Sequence, residues 1–188
     1  VNVVLMGPPG SGKGTQAVRL TEALGCEHLS TGSMLRAEIE AQSSLGAAIA
    51  SLVSAGELVP DDLVNALVLP QARAAAARGG YLLDGYPRSV AQATALLDTD
   101  VYPDLVISLE APEPVLVERM LHRARVEGRA DDTIDVVEHR LRVFEQTTKP
   151  VLDLFAERGL LCTVSAAAPP DSVATSILDR LHGRRSSS

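Results

Sequence analysis

Aromatic side chains are scarce: 3% of the 188 residues, with two Phe, three Tyr and no Trp. A core cannot be built from large rings, so the 46% apolar content must work through Leu, Val, Ile and Ala. That set suits helices covering a sheet buried on both faces. Cysteine is scarce too. Cys26 and Cys162 lie far apart, with no Cys or His neighbour at ligand spacing, which argues against a disulfide framework and fits two reduced thiols in a cytoplasmic setting. Positive charge is in deficit, with a net charge of -7, so the chain lacks the basic face that sequence-independent nucleic-acid binding requires. No apolar run approaches the ~18–20 residues of a membrane span, and no leader-like stretch precedes the first apolar run. Neither a membrane nor a nucleic acid is expected as a partner. The length fits one globular domain.

What positive charge there is gathers locally. Arginines recur at 119, 123, 125, 129, 140 and 142, and a basic segment within an acidic protein suits a small anionic ligand better than a polymer. None of the four histidines (28, 122, 139, 182) falls in a motif, and all four read as surface residues.

Short apolar runs alternate with longer amphipathic ones. The runs Asn2–Met6, Cys26–Leu29, Tyr81–Asp84, Leu105–Leu109 and Leu160–Val164 predict five strands. Helices are predicted over Lys13–Leu24, in two pieces over 31–55 broken near Gln42-Ser43-Ser44, from Asp61 as N-cap, over Ser89–Leu97, from Pro112 or Glu113, from Thr133 with a kink or break at Pro150, and from Asp171 as N-cap into a tail that frays from Arg184. Residues 122–133 are polar with no apolar period and read as an exposed excursion. The alternation implies an α/β fold, a five-stranded parallel sheet with helices on both faces. A ligand is then expected beyond the carboxyl ends of the strands.

One segment names its ligand class. Gly7-Pro8-Pro9-Gly10-Ser11-Gly12-Lys13 follows a strand and opens a helix, the context that a phosphate-binding loop requires. Glycines let successive N–H groups point at one anion, the helix N-terminus adds partial positive charge, and Lys13 adds an ammonium. Gly14, where Ser or Thr is usual, precedes Thr15. By itself such a loop says only that phosphates bind.

The phrase from Gly7 to Thr15 and on to Gln16 resembles the nucleoside monophosphate kinases, which use Gly-Lys-Gly-Thr at this point. Four later segments fit the same family in order: Leu29 to Arg36, Gly56 to Asp61, Asp84-Gly85-Tyr86-Pro87-Arg88-Ser89 with Gln92, and Arg129-Ala130-Asp131-Asp132 with Arg140. Within that family the likeness points to the adenylate kinases, in a form with a short lid. The resemblance implies a P-loop fold with strand order 2-3-1-4-5. It implies a core of 1–29, 60–121 and 134–188, a helical AMP-binding insertion over 30–59 and a lid over 122–133.

It also implies roles. Gly10, Ser11, Gly12, Lys13, Gly14, Thr15, Arg119, Arg123 and Ala168 would bind ATP. Thr31, Arg36, Glu57, Leu58, Val59, Gly85, Tyr86, Pro87, Arg88 and Gln92 would bind AMP, joined by Arg129 and Arg140. Lys13, Arg88, Arg123, Arg129 and Arg140 would serve the transfer itself, and Asp84 would hold Mg2+ through water. The lid lacks the four cysteines of larger relatives, so no zinc is expected. The implied partners are ATP, AMP and ADP, and the implied state is a cytoplasmic monomer. Ser33 stands where Asp is common, Tyr86 where Phe is common, and Ser165 to Pro170 lacks a glycine often found near the ATP base. Asp131 and Asp132 either cap the next helix or orient an arginine.

The expected reaction moves the terminal phosphate of ATP reversibly to AMP, giving two ADP. Phosphoryl transfer is a matter of positioning and charge, and AMP is already anionic, so no general base is needed. A kinase for UMP or CMP is less favoured, because pyrimidine-specific relatives tend to carry Ala at the position of Thr31. A nucleotide switch would not need the AMP-side residues.

Overall fold

The computed structural model describes residues 1–127 and 133–185. Five parallel strands, β1 (Asn2–Met6), β2 (Glu27–Ser30), β3 (Tyr81–Asp84), β4 (Leu105–Glu110) and β5 (Leu161–Ser165), form one sheet in the order β2-β3-β1-β4-β5, as the family resemblance implies. The central strands β1, β3 and β4 read as largely apolar runs because both of their faces are covered. Alternate residues enter opposite cores: Val3, Leu5, Leu82 and Ile107 on one face, Val4, Met6, Leu83 and Val106 on the other. β2 and β5 each begin one residue later than predicted.

The first face is covered by α1 (Lys13–Leu24) and α9 (Pro170–Arg185), through Ala17, Leu20, Val173, Ile177 and Leu181. The second is covered by α4 (Asp61–Ala77), α5 (Val90–Leu97) and α8 (Lys149–Glu157). The insertion after β2 forms two helices, α2 (Thr31–Glu40) and α3 (Ser44–Ala55), with Ser43 capping α3 by accepting from the Gly46 N–H. Their break falls where Gln42-Ser43-Ser44 predicts it. α6 (Glu113–Glu127) and α7 (Ile134–Val143) complete the element order.

Three sequence expectations change and one is narrowed. α6 continues through residues 122–127, which sequence placed in an exposed excursion: a solvated helix needs no apolar period. Pro60 rather than Asp61 takes the N-cap place of α4. α9 begins at Pro170, so Asp171 lies in its first turn, paired with Arg19, and the helix runs through Arg185 instead of fraying from Arg184. Near Pro150, where a kink or a break is expected, the chain stays helical with a local irregularity. A π-helical turn over Phe144–Thr148 widens it before α8, which accommodates a ring that cannot donate an N–H. Among the described residues no helix is long and apolar enough to cross a membrane.

Candidate active site

A cleft of about 1240 Å³ opens beyond the carboxyl ends of the strands. A single small-molecule site usually occupies ~300–1,000 Å³, so this one has room for two. β1 delivers the chain into the glycine-rich loop. Gly10 adopts φ +80°, and a Cβ there would meet the backbone carbonyl of Leu116 at 2.5 Å, so both conformation and space demand glycine. The loop enters α1 through Gly12 with no side-chain cap, leaving the first N–H groups of the helix facing the cleft. Ser11, Gly14 and Thr15 line it with them.

Lys13 Nζ donates to the carbonyls of Gly7 (2.8 Å) and Pro8 (2.9 Å), with a third N–H left for an incoming anion. Burial lowers its pKa from 10.5 to about 8; Arg88, Arg140 and Arg123 push in the same direction, and Asp84 opposes them. Three arginines and Asp84 thus lie close enough to Lys13 to act on its charge. Burial alone would raise the Asp84 carboxyl, but the neighbouring His28 and the charges of Lys13 and Arg88 outweigh it and hold Asp84 below its ordinary value.

Arg88 is fixed at three points. Its N–H donates to Gln92 Oε1 (2.8 Å), its carbonyl accepts from Thr148 Oγ1 (2.8 Å), and its Nε donates to the Gly85 carbonyl (2.8 Å). Burial and the nearby Arg36 lower its pKa, while Asp84 raises it. Asp61, expected as a helix cap, is instead a tertiary hub: Oδ1 accepts from Ser89 Oγ and from Gln92 Nε2, both at 2.8 Å.

A smaller recess adjoins the cleft, lined by Thr31, Glu57, Leu58, Val59, Gly85 and Gln92, with Arg36, Arg88 and Arg140 shared between the two. The Thr31 hydroxyl is buried there without a hydrogen-bond partner. Gln92 is almost fully buried, and its bonds to Asp61 and Arg88 leave it one N–H and one lone pair. Tyr86 and Pro87 line the main cleft, and the extra hydroxyl of Tyr86 donates to Asn65 Oδ1 (2.7 Å). Ser33 Oγ accepts a long bond from Arg36 (3.4 Å). On the far side, Arg119, Arg123 and Ala168 line the cleft, and Arg119 donates to the Ala166 carbonyl (3.0 Å).

The described site residues are therefore brought together around one cleft and its recess. Arg129, Asp131 and Asp132 lie outside the described residues. Sequence reasoning missed His28, whose Nε2 lies 3.6 Å from Asp84 Oδ2. Its place near the carboxyl end of β2, two residues before the partner of Asp84, is the signal that could have found it. It also missed Thr148, which no motif marks.

Comparison with known proteins points to one family. The family described as Adenylate kinase matches residues 5–160. A protein of Stenotrophomonas maltophilia (strain R551-3) named "Adenylate kinase" is 45% identical over 187 residues, covering 97% of this chain and 100% of that protein. Proteins of the same name from Synechococcus sp. (strain WH7803) and Nocardia farcinica (strain IFM 10152) are 46% and 45% identical, each match covering 92% of this chain and 94% of the relative. With a phosphate loop, a cleft sized for two ligands and this coverage, the chain belongs to the adenylate kinase family, enzymes that transfer a phosphate reversibly between ATP and AMP to give ADP.

Proposed function

We propose that ATP lies along the phosphate loop with its base toward Ala168, and that AMP occupies the recess with its phosphate turned toward the loop. The observation that carries this is the gathering of Lys13, Asp84, Arg88, Arg123 and Arg140 in one cleft, with the three arginines and Asp84 close enough to act on the Lys13 charge. Cations placed in this way suit two polyanions that must approach each other. Lys13 and the N-terminus of α1 take the outer phosphates of ATP, with Arg119 and Arg123 on the same side. Arg36 and Arg88 take the AMP phosphate, and a guanidinium can donate two parallel bonds to it. Arg140, with Arg129 by family likeness, bridges the transferring group.

The unpartnered Thr31 hydroxyl and the remaining N–H and lone pair of Gln92 suit an adenine edge, which offers both a donor and an acceptor. The backbone of Glu57 to Val59 walls the same recess. A lone ionised carboxylate beside a phosphate loop suits Mg2+, which is usually held by one or two carboxylates, water and substrate phosphates. By family likeness, Asp84 would hold this ion through water. When bound, Mg2+ supplies neutralisation of the phosphate charge. The segments 30–59 and 122–133 act as the AMP-binding unit and the lid, excluding water so that phosphate passes to AMP. The enzyme works as a cytoplasmic monomer, a setting that suits its two free thiols.

The test is ADP formation from MgATP with AMP, UMP, CMP or no acceptor. AMP should give by far the fastest turnover. Equal rates with UMP or CMP would overturn the base assignment, and turnover only without an acceptor would overturn the second phosphate site.

A further inference from the structure

The phrase that opens α1 includes one residue to which the phosphate chemistry gives no task, Gln16. It is the polar member of the buried face of α1, 3% exposed beside Ala17 and Leu20, and it also lines the cleft. Its Nε2 donates to the carbonyl of Pro170 at 2.9 Å, a residue 154 positions away. Its Oε1 is buried with no partner. Burying an amide with its oxygen unpaired is unfavourable, so a glutamine kept only to hold Pro170 is a poor choice at this place.

The position of Pro170 gives Gln16 a purpose. Pro170 ends the segment 166–170, whose middle residue is Ala168. At the other end Arg119 of α6 donates to the Ala166 carbonyl (3.0 Å), and the Ala166 N–H donates to the Glu110 carbonyl (2.7 Å). The Pro169 carbonyl is taken by the Val173 N–H (3.1 Å). Ala168 is thus suspended between tied neighbours, and the tie on its far side comes from the helix whose first turn carries Lys13 and Thr15.

We propose that Gln16 is a positioning residue for the ATP side of the reaction. On the assignment of 166–170 as the ATP base wall, Gln16 fixes the distance between the site of the phosphates and the site of the base. Its orphaned oxygen is completed by a proton donor, from the nucleotide or a water it brings, only when ATP enters. This chain lacks a glycine in 165–170, so a stiff wall of alanines and prolines must be set in place by outside ties.

Gln16→Met keeps length and helix preference while removing both polar atoms; Gln16→Glu keeps an acceptor and removes the donor to Pro170. For each, initial rates with ATP, GTP and AMP varied in turn should show KM for ATP raised about tenfold, the scale of one buried hydrogen bond, with KM for AMP and kcat within about twofold and preference for ATP over GTP reduced. Thermal shifts with single ligands give a second readout: ATP should stabilise the variants less than the parent, and AMP equally. A lower melting temperature with KM for ATP and the ATP-to-GTP ratio unchanged means that Gln16 is merely structural and overturns the proposal. A rise confined to KM for AMP would instead overturn the assignment of 166–170 to ATP.

Discussion

The two base-binding walls of the cleft are built on different principles. The ATP wall, 166–170, follows a strand of the main sheet and is tied by side chains from α1 and α6. The AMP wall, 56–59, leaves the insertion formed by α2 and α3, two helices that pack chiefly on each other. It leans on α7 at two points: Gly56, where a Cβ would meet Arg140 Cγ at 2.8 Å and Val136 Cγ1 at 3.0 Å, and Glu57, whose Oε1 lies 2.9 Å from His139 Nε2. One wall is held from the core and the other rests against a neighbour. Changes on the ATP side should therefore act on the chemistry or on ATP alone, while changes at the α7 contact should act on AMP, and at Gly56 also on the transfer step through Arg140.

The largest expected effect lies at the phosphate loop, which serves both sides. Lys13→Met should cut kcat by about a hundredfold to a thousandfold, by analogy with removal of a single charge-stabilising donor. Stability should move the other way. Burial lowers the Lys13 pKa from 10.5 to about 8, so the folded chain disfavours the charged form. That penalty is present in full below pH 8 and is relieved as pH rises from about 8 toward 10.5, because there the unfolded chain binds more protons than the folded one. Without nucleotide the variant should melt higher than the parent at pH 7, by a margin that shrinks toward pH 10. A lower melting temperature at pH 7 would show that the ammonium is stabilised by its loop carbonyls and not strained by burial.

A smaller effect, confined in binding to one ligand, is expected at Gly56. It has φ +75°, a region costing an ordinary side chain ~1–3 kcal/mol, and it is pressed against α7. Gly56→Val should raise KM for AMP about tenfold while leaving KM for ATP unchanged. Equal rises in both constants would mean that the AMP wall is as firmly built into the core as the ATP wall, and the contrast between them would fail.

The same contrast governs what could be read from sequence. β1, β3 and β4 were legible because strands buried on both faces must be apolar throughout, and the loop because anion binding needs glycine and lysine in a fixed order. Asp61 was misread because its sequence context, Pro60 before it and an apolar helix after it, is that of a cap. Its work with Ser89 and Gln92 is tertiary and leaves no local period. α6 was cut short at residue 122 because a solvated helix carries no apolar stripe. Gln16 and Thr148 act through backbone carbonyls far away in the chain, 154 and 60 positions off, and no pattern near either residue points there. Motifs recorded the residues suited to ligand binding; the residues that hold those in place depend on the fold.

His139 should give the smallest effect and the finest test. Its contact with Glu57 is partly exposed, at 31% and 48% for the two side chains, and such pairs contribute ~0.2–1 kcal/mol. His139→Ala should therefore raise KM for AMP by no more than about fivefold, with KM for ATP and kcat unchanged. His139→Gln, which can place a side-chain N–H beside the carboxylate, should recover part of the loss. Glu57→Gln in the parent should match His139→Ala if the contact is mainly electrostatic, and adding it to His139→Ala should then cost nothing more, since one contact cannot be lost twice. Additive losses would mean that each side chain acts alone, and the AMP wall would rest on α7 through Gly56 only.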